Sequence, residues 1–233
     1  MVAGSPPWLP ADVHKGSSAS PIKSWIIERL GPVPADLASH LRTAGLDPAP
    51  PGMVRDAWAL FEQAVGLIAR VPDLQHAIAA VVGHVHALKA PPGYDVSHSE
   101  PRWRTTIFVS IPEISDAVGA LRLAESITHE AMHLLLTDWE AVGAFVADAE
   151  AMLYSPWRRS ERSARGVLHG TFVFVCIQSF FSRLSAIGLG PAGTEHVQRR
   201  LREIADEFDT VDLPSLRSVL TLRGQAFLEE WIA

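Results

Sequence analysis

Two histidines four residues apart, with a glutamate beside the first, read "HEAMH" at 129 to 133. On an α-helix, positions i and i+4 lie above one another on one face, so His129 and His133 can offer imidazole nitrogens to one ion at about 2.0 to 2.1 Å. Glu130 lies about a third of a turn round from His129, where it could reach a metal-bound water, the general-base geometry of zinc peptidases. Ala131, Met132, Leu134, Leu135 and Leu136 put these polar residues in or beside a core. Buried polar groups need partners there, and a metal supplies one.

Two ligands are too few for a stable site. A metzincin-type pattern would need histidine at 139, and that residue is Trp139. A gluzincin-type third ligand would be a glutamate on a later helix, for which Glu140 and Glu150 are candidates. His169 stands in "GVLHGTFVF" at the start of an apolar segment, as either a third ligand or a core histidine bonded to backbone. His98, in "DVSHSEP", precedes the best strand candidate and is expected to line the pocket. His84 and His86 are two apart and would not face each other on a helix, so packing or solvated roles are expected. His14, His40, His76 and His196 need no special account.

These residues must be positioned by elements that the pattern predicts. Residues 1–20, with Pro6, Pro7 and Pro10, read as an extended or disordered arm, and 21–233 as one domain. Two short helical pieces broken at Gly31 to Pro34 precede a linker at 46–52. Helices are expected over 54–71 and 74–90 as an antiparallel pair, then a strand over 104–111. The metal helix spans 114–138, capped by Ser115 or Asp116. Residues 139–157 are ambiguous between strand and irregular structure, and the charged run 158–166 follows. A nearly all-apolar central helix follows over 167–188, then amphipathic helices to the end. The fold class is mainly α with a small β element and a zincin-like helical metal site.

The chain has 233 residues, is 48% hydrophobic and carries a net charge of -6. Its scattered basic residues do not form a nucleic-acid surface. The single Cys176 excludes an intramolecular disulfide framework and sits in an apolar run. No signal pattern starts the chain, and no apolar run is expected to reach the roughly 18 residues of a membrane span, so a cytoplasmic protein is expected. The oligomeric state is left open, with a homodimer as one option.

Three segments, "DVSHSEPRWRTTIFVSIP", "ITHEAMHLLL" and "LYSPWRRSERSARGVLHGTFVFV", together resemble the HExxH-type 2-oxoglutarate-dependent peptide β-hydroxylases of bacterial ribosomal-peptide natural product pathways. The matches span about 95 to 175, and the pairing of "YSPWR" with "LHG" is their most specific part. The resemblance implies that His129, His133 and His169 hold iron(II), with 2-oxoglutarate and dioxygen as co-substrates and a precursor peptide as substrate. Three ligands on one face of an octahedral ion leave three positions, two for the keto acid and one for dioxygen. The usual third ligand is a carboxylate, whereas His169 is neutral, so zinc stays an alternative.

The distal carboxylate of 2-oxoglutarate needs a cationic fork, with Arg158 the first candidate and Arg159 and Arg165 the runners-up. A solvated loop is the competing reading of these arginines. Tyr154 could add a hydroxyl donor and Trp157 a wall. Glu130 would then orient water or a neighbouring ligand rather than act as base. The peptide is expected to pair with an exposed edge of the 104–111 strand. The rival enzyme is a zinc hydrolase with Glu130 as general base. The non-enzymatic rival is a peptide-recognition module with a vestigial metal site.

Overall fold

The computed structural model describes residues 28–232. The expected arm over 1–20 lies outside the described residues, as does most of the first helical piece. The described chain is mostly helical with a small mixed sheet. After β1 (Leu30–Gly31) come α1 (Ala35–Thr43), β2 (Asp47–Pro48), α2 (Pro51–Asp56), α3 (Trp58–Ile68) and α4 (Pro72–Val81). Then β3 (His84–Lys89), β4 (Ser97–Ser99) and β5 (Thr106–Ile111) lead to α5 (Ala117–Val142). A hairpin of β6 (Met152–Ser155) and β7 (Ser160–Ser163) feeds α6 (Ala164–Ala186). α7 (Pro191–Phe208), α8 (Leu213–Ser218) and α9 (Leu222–Ile232) finish the fold.

The main sheet has the order β1-β3-β5-β4, with β2 pairing β3 as well. β3 and β5 are parallel, Val85 opposite Ile107, while β4 is antiparallel to β5, with His98 opposite Phe108. Strand alternation sends Val85, Ala87, Ile107 and Val109 into the main core and Leu88 and Phe108 into a smaller one capped by Leu37 and Leu41 of α1.

α5 starts where expected. The Asp116 carboxylate accepts the Val118 and Gly119 N–H groups at 2.8 and 2.9 Å, satisfying donors the helix leaves bare. Gly119 is required there, because a Cβ would stand 1.7 Å from the Ile114 carbonyl oxygen. α6 is capped by Ser163, whose hydroxyl accepts the Gly166 N–H at 3.2 Å. It runs through the main core with Phe172, Phe180 and Phe181 fully buried, as its all-round apolarity requires.

Several expectations are corrected. The helix expected over 74–90 ends at Val81, and "HVHALK" is strand β3, pinned by Gly83 and His84 N–H groups that both donate to the Thr105 carbonyl. The 54–71 helix is two helices broken at Ala57. The charged run at 158–166 holds β7 and the first turn of α6. The 104–111 strand is present but interior to the sheet, so it has no free edge for a peptide. α6 is long and apolar enough to cross a membrane by length and composition, contrary to the expectation, although 67% of its most apolar window is buried inside the fold.

Candidate metal centre and its clefts

The α-helical repeat of α5 stacks His129 over His133, and their Nε2 atoms lie 3.2 Å apart. Glu140, seven residues further, falls on the same face two turns on. α6 crosses this face and brings His169 in, with Nδ1 lying 3.3 Å from His133 Nδ1 and the two rings stacked. His169 Nε2–H donates to Glu140 Oε2 at 3.0 Å, and Arg165 donates to the same oxygen at 2.8 Å. The His169 proton is thereby fixed on Nε2, and its Nδ1 keeps a lone pair.

Burial dominates the electrostatics. It lowers the His129 imidazole to about 4, with Arg158 and Arg200 adding to the effect. It lowers His133 to about 3, with His129 as the next cause. His169 is lowered by burial too, against the pull of Glu140. Burial would raise Glu140, but its bonds to His169 and Arg165 outweigh that and hold the carboxyl below its ordinary value. At neutral pH the centre is therefore three uncharged imidazoles, each with a nitrogen lone pair.

Such a donor set fits a divalent ion. Neutral imidazole is the form that ligates, and adjacent ligands at about 2.1 Å from an octahedral ion stand about 3.0 Å apart, close to the His129 to His133 spacing. A carboxylate holding the far nitrogen of a ligating histidine is the usual support, and Glu140 stands there for His169. One feature departs from a finished cage. His133 faces His129 with Nε2 and His169 with Nδ1, so a single ion needs one ring to turn. Accordingly, no group of three or more His, Cys, Asp or Glu side chains among the described residues is disposed to hold a metal as it stands.

Glu130 is 4% exposed and lies between the imidazoles and β4, lining the cavity beside them with its Oε1 4.0 Å from His129 Nε2. Ser97 Oγ donates to its Oε1 and Ser99 Oγ to its Oε2, both at 2.6 Å. His98 lies between these serines, so its ring turns to the opposite face of the strand, where Nε2–H donates to Glu100 at 2.9 Å. His98 is among the residues that line the cavity, together with its partner Glu100.

The cavity over the imidazoles has a volume of about 540 Å³. Its outer wall is the β6–β7 hairpin, whose alternation decides which side chains reach it. Ser155 and Arg162 face inward, whereas Tyr154 and its cross-strand partner Glu161 are exposed on the outside. Tyr154 is thus not brought to the site. Arg158 and Arg162 line the cavity, and among the described residues neither meets a carboxylate. Arg165 lines it too but is taken by Glu140. Arg159 sits at φ 50° in the hairpin turn, away from the lining.

Trp157 forms the expected wall. Its indole stacks on Phe174 at 4.9 Å and 11°, and Phe174 meets the His129 ring edge-on at 5.5 Å. A Cβ on Gly170 would lie 2.8 Å from the indole, so the tryptophan of "YSPWR" closes directly over the glycine of "LHG". A second cleft, of about 520 Å³, opens on the far side of His129 and shares Asp95, Ser97, His129 and Phe174 with the first.

Sequence reasoning missed Ser97, Ser99 and Arg162, and weighed Glu140 as a metal ligand, whereas it stands as the carboxylate that holds His169. The His133 to Glu140 spacing of seven was a readable signal of a shared helix face. The alternation of "RSERS" was a readable signal for Arg162, once taken as a strand. Glu150 is exposed and takes no part. No family model and no curated protein matches this chain.

Proposed function

We propose that this chain is an iron(II)- and 2-oxoglutarate-dependent hydroxylase acting at Cβ of a side chain in a ribosomally made precursor peptide, built on a zincin-like helical metal site. The observation that carries the reading is one cavity holding three neutral imidazoles and two guanidiniums that have no carboxylate partner among the described residues. His129, His133 and His169 would hold the ion. Bound there, iron(II) supplies the oxygen chemistry of the net reaction, in which dioxygen and 2-oxoglutarate give succinate, carbon dioxide and a hydroxylated side chain.

The chain's own residues supply binding and orientation. Arg158 and Arg162 suit the distal carboxylate of a dicarboxylate, because guanidinium forks bind carboxylates through two parallel bonds. Trp157 and Phe174 keep the wall beside His129 apolar and exclude water. Glu140 fixes the proton of His169 on Nε2, leaving Nδ1 to ligate. Glu130 already accepts a hydroxyl at each carboxylate oxygen, which suits a residue that holds β4 against the metal helix better than one that activates water.

The peptide's place is β4 rather than β5. The Ser110 N–H donates to the Val96 carbonyl at 2.8 Å, which makes that pair a hydrogen-bonded one. By alternation, Ser97 and Ser99 turn their N–H and C=O groups away from β5, free for an added strand.

Two variants separate this reading from zinc hydrolysis. Arg158→Ala is expected to raise the KM for 2-oxoglutarate by about tenfold or more in a succinate assay, the loss of one charged carboxylate bond. Glu130→Gln is expected to keep most succinate formation. Metal-dependent cleavage of a peptide that disappears in Glu130→Gln and survives in Arg158→Ala would overturn the proposal.

A further inference from the structure

The second cleft is built differently from the first. Ile114, Val118 and Phe174 give it an apolar side, and Arg122, Asp95 and His196 a polar one. Arg122 Nε donates to Asp95 Oδ2 at 2.7 Å, and no terminal nitrogen of Arg122 has a partner among the described residues. Arg199 Nη2 lies 3.2 Å from His196 Nδ1. A guanidinium only donates, so His196 Nδ1 accepts and its proton sits on Nε2. That Nε2 is buried without a partner in a residue 8% exposed. Arg200 is occupied by Glu125 at 2.8 Å and by Glu203.

The tally of unused groups decides the chemistry. On the donor side stand the terminal nitrogens of Arg122 and the His196 Nε2–H. On the acceptor side stand Asp95 Oδ1 and the second carboxylate oxygen of Glu125, on carboxylates already paired with Arg122 and Arg200, and the Ser126 hydroxyl. Leaving donors of this kind unfilled in a partly desolvated cleft is costly, so a guest rich in acceptors is favoured. The apolar wall suits a short methylene stem and the donors suit a carboxylate at its tip.

We propose that the second cleft is a subsite for an acidic side chain, aspartate or glutamate, of the peptide that lies along β4. The inference rests on the proposed function only in taking the guest to be a peptide. Ser97 borders both clefts, so a strand paired to β4 passes the mouth of the second one while its co-substrate occupies the first.

The test is calorimetric titration of chelator-treated protein with a short acetylated peptide amide carrying a central glutamate, against the same peptide with glutamine. No iron or keto acid is present, so the outcome is independent of the oxygenase reading. The glutamate peptide is expected to bind about tenfold tighter, equivalent to ~1.4 kcal/mol. Arg122→Met should erase the preference and Arg158→Met should keep it. Arg199→Met alters a side chain that is 55% exposed, and it should reduce the preference even if Arg122→Met does not fold. Equal binding of the two peptides, binding of neither at millimolar concentration, or a preference lost in Arg158→Met instead would overturn the proposal.

Discussion

Strand β4, three residues long, separates two histidine and carboxylate clusters of opposite character. Ser97 and Ser99 point to the helix α5 side, where they hold Glu130 beside His129, His133 and His169. His98 points the other way and joins His40 in donating to one oxygen of Glu100, at 2.9 and 3.1 Å. The side chains of His40 and His98 are 38% and 29% exposed, against 26% for His129 at the mouth of the cavity and 7% for His169. Similar residue types thus do different work. Burial strips the inner imidazoles of protons and leaves lone pairs for an ion, whereas the outer pair is hydrogen-bonded to a partly exposed carboxylate. The spacing of histidines says little about a metal until burial is known.

Acidification should break the comparison most strongly. In the folded metal-free chain His129 and His133 stay neutral down to about 4 and about 3, while the unfolded chain takes up protons from about 6.5 downward. The unfolded state then binds more protons throughout that window, so stability falls as pH drops from about 6.5 towards 4. Thermal melts of chelator-treated protein should show the midpoint falling over this range, and the fall should shrink in His133→Asn. A midpoint independent of pH there would mean the imidazoles are not buried as described.

A smaller effect sharpens the role of Glu140. Glu140→Gln removes the carboxylate that orients His169, and metal affinity should fall about 10- to 100-fold in a competition titration with a chelator. Unchanged affinity would place His169 outside the ligand set. The smallest effect belongs to the outer cluster. Glu100→Gln loses partly exposed pairs worth less than about 1 kcal/mol each, so it should shift stability slightly and leave metal affinity untouched. A loss of metal in Glu100→Gln would mean that the two sides of β4 are coupled.

The inner cluster was legible because helices carry their own evidence. His129, Glu130 and His133 sit at helical spacing in an apolar run, and the 26-residue α5 has its cap at Asp116 as read. His169 entered through the "LHG" segment, whose glycine has a physical reason in the Trp157 indole above it. Strands carried less. β3 has Val85, His86, Ala87 and Leu88 all buried, so no alternation marks it, and its partner β5 lies some twenty residues on. The serines that hold Glu130 looked like linker, because their importance comes from a pairing of β4 with β5 that no local pattern announces. Tyr154 was named and Arg162 overlooked for one reason, since a single hairpin register fixes which of them faces the cavity.

The most direct test of the central claim is anaerobic reconstitution with iron(II), addition of 2-oxoglutarate, and a search for the weak visible charge-transfer band of a chelated keto acid. The account predicts that the band appears, disappears in His169→Ala, and needs a higher 2-oxoglutarate concentration in Arg158→Ala. No band in protein that has taken up stoichiometric iron(II), or a band unchanged in His169→Ala, would contradict it.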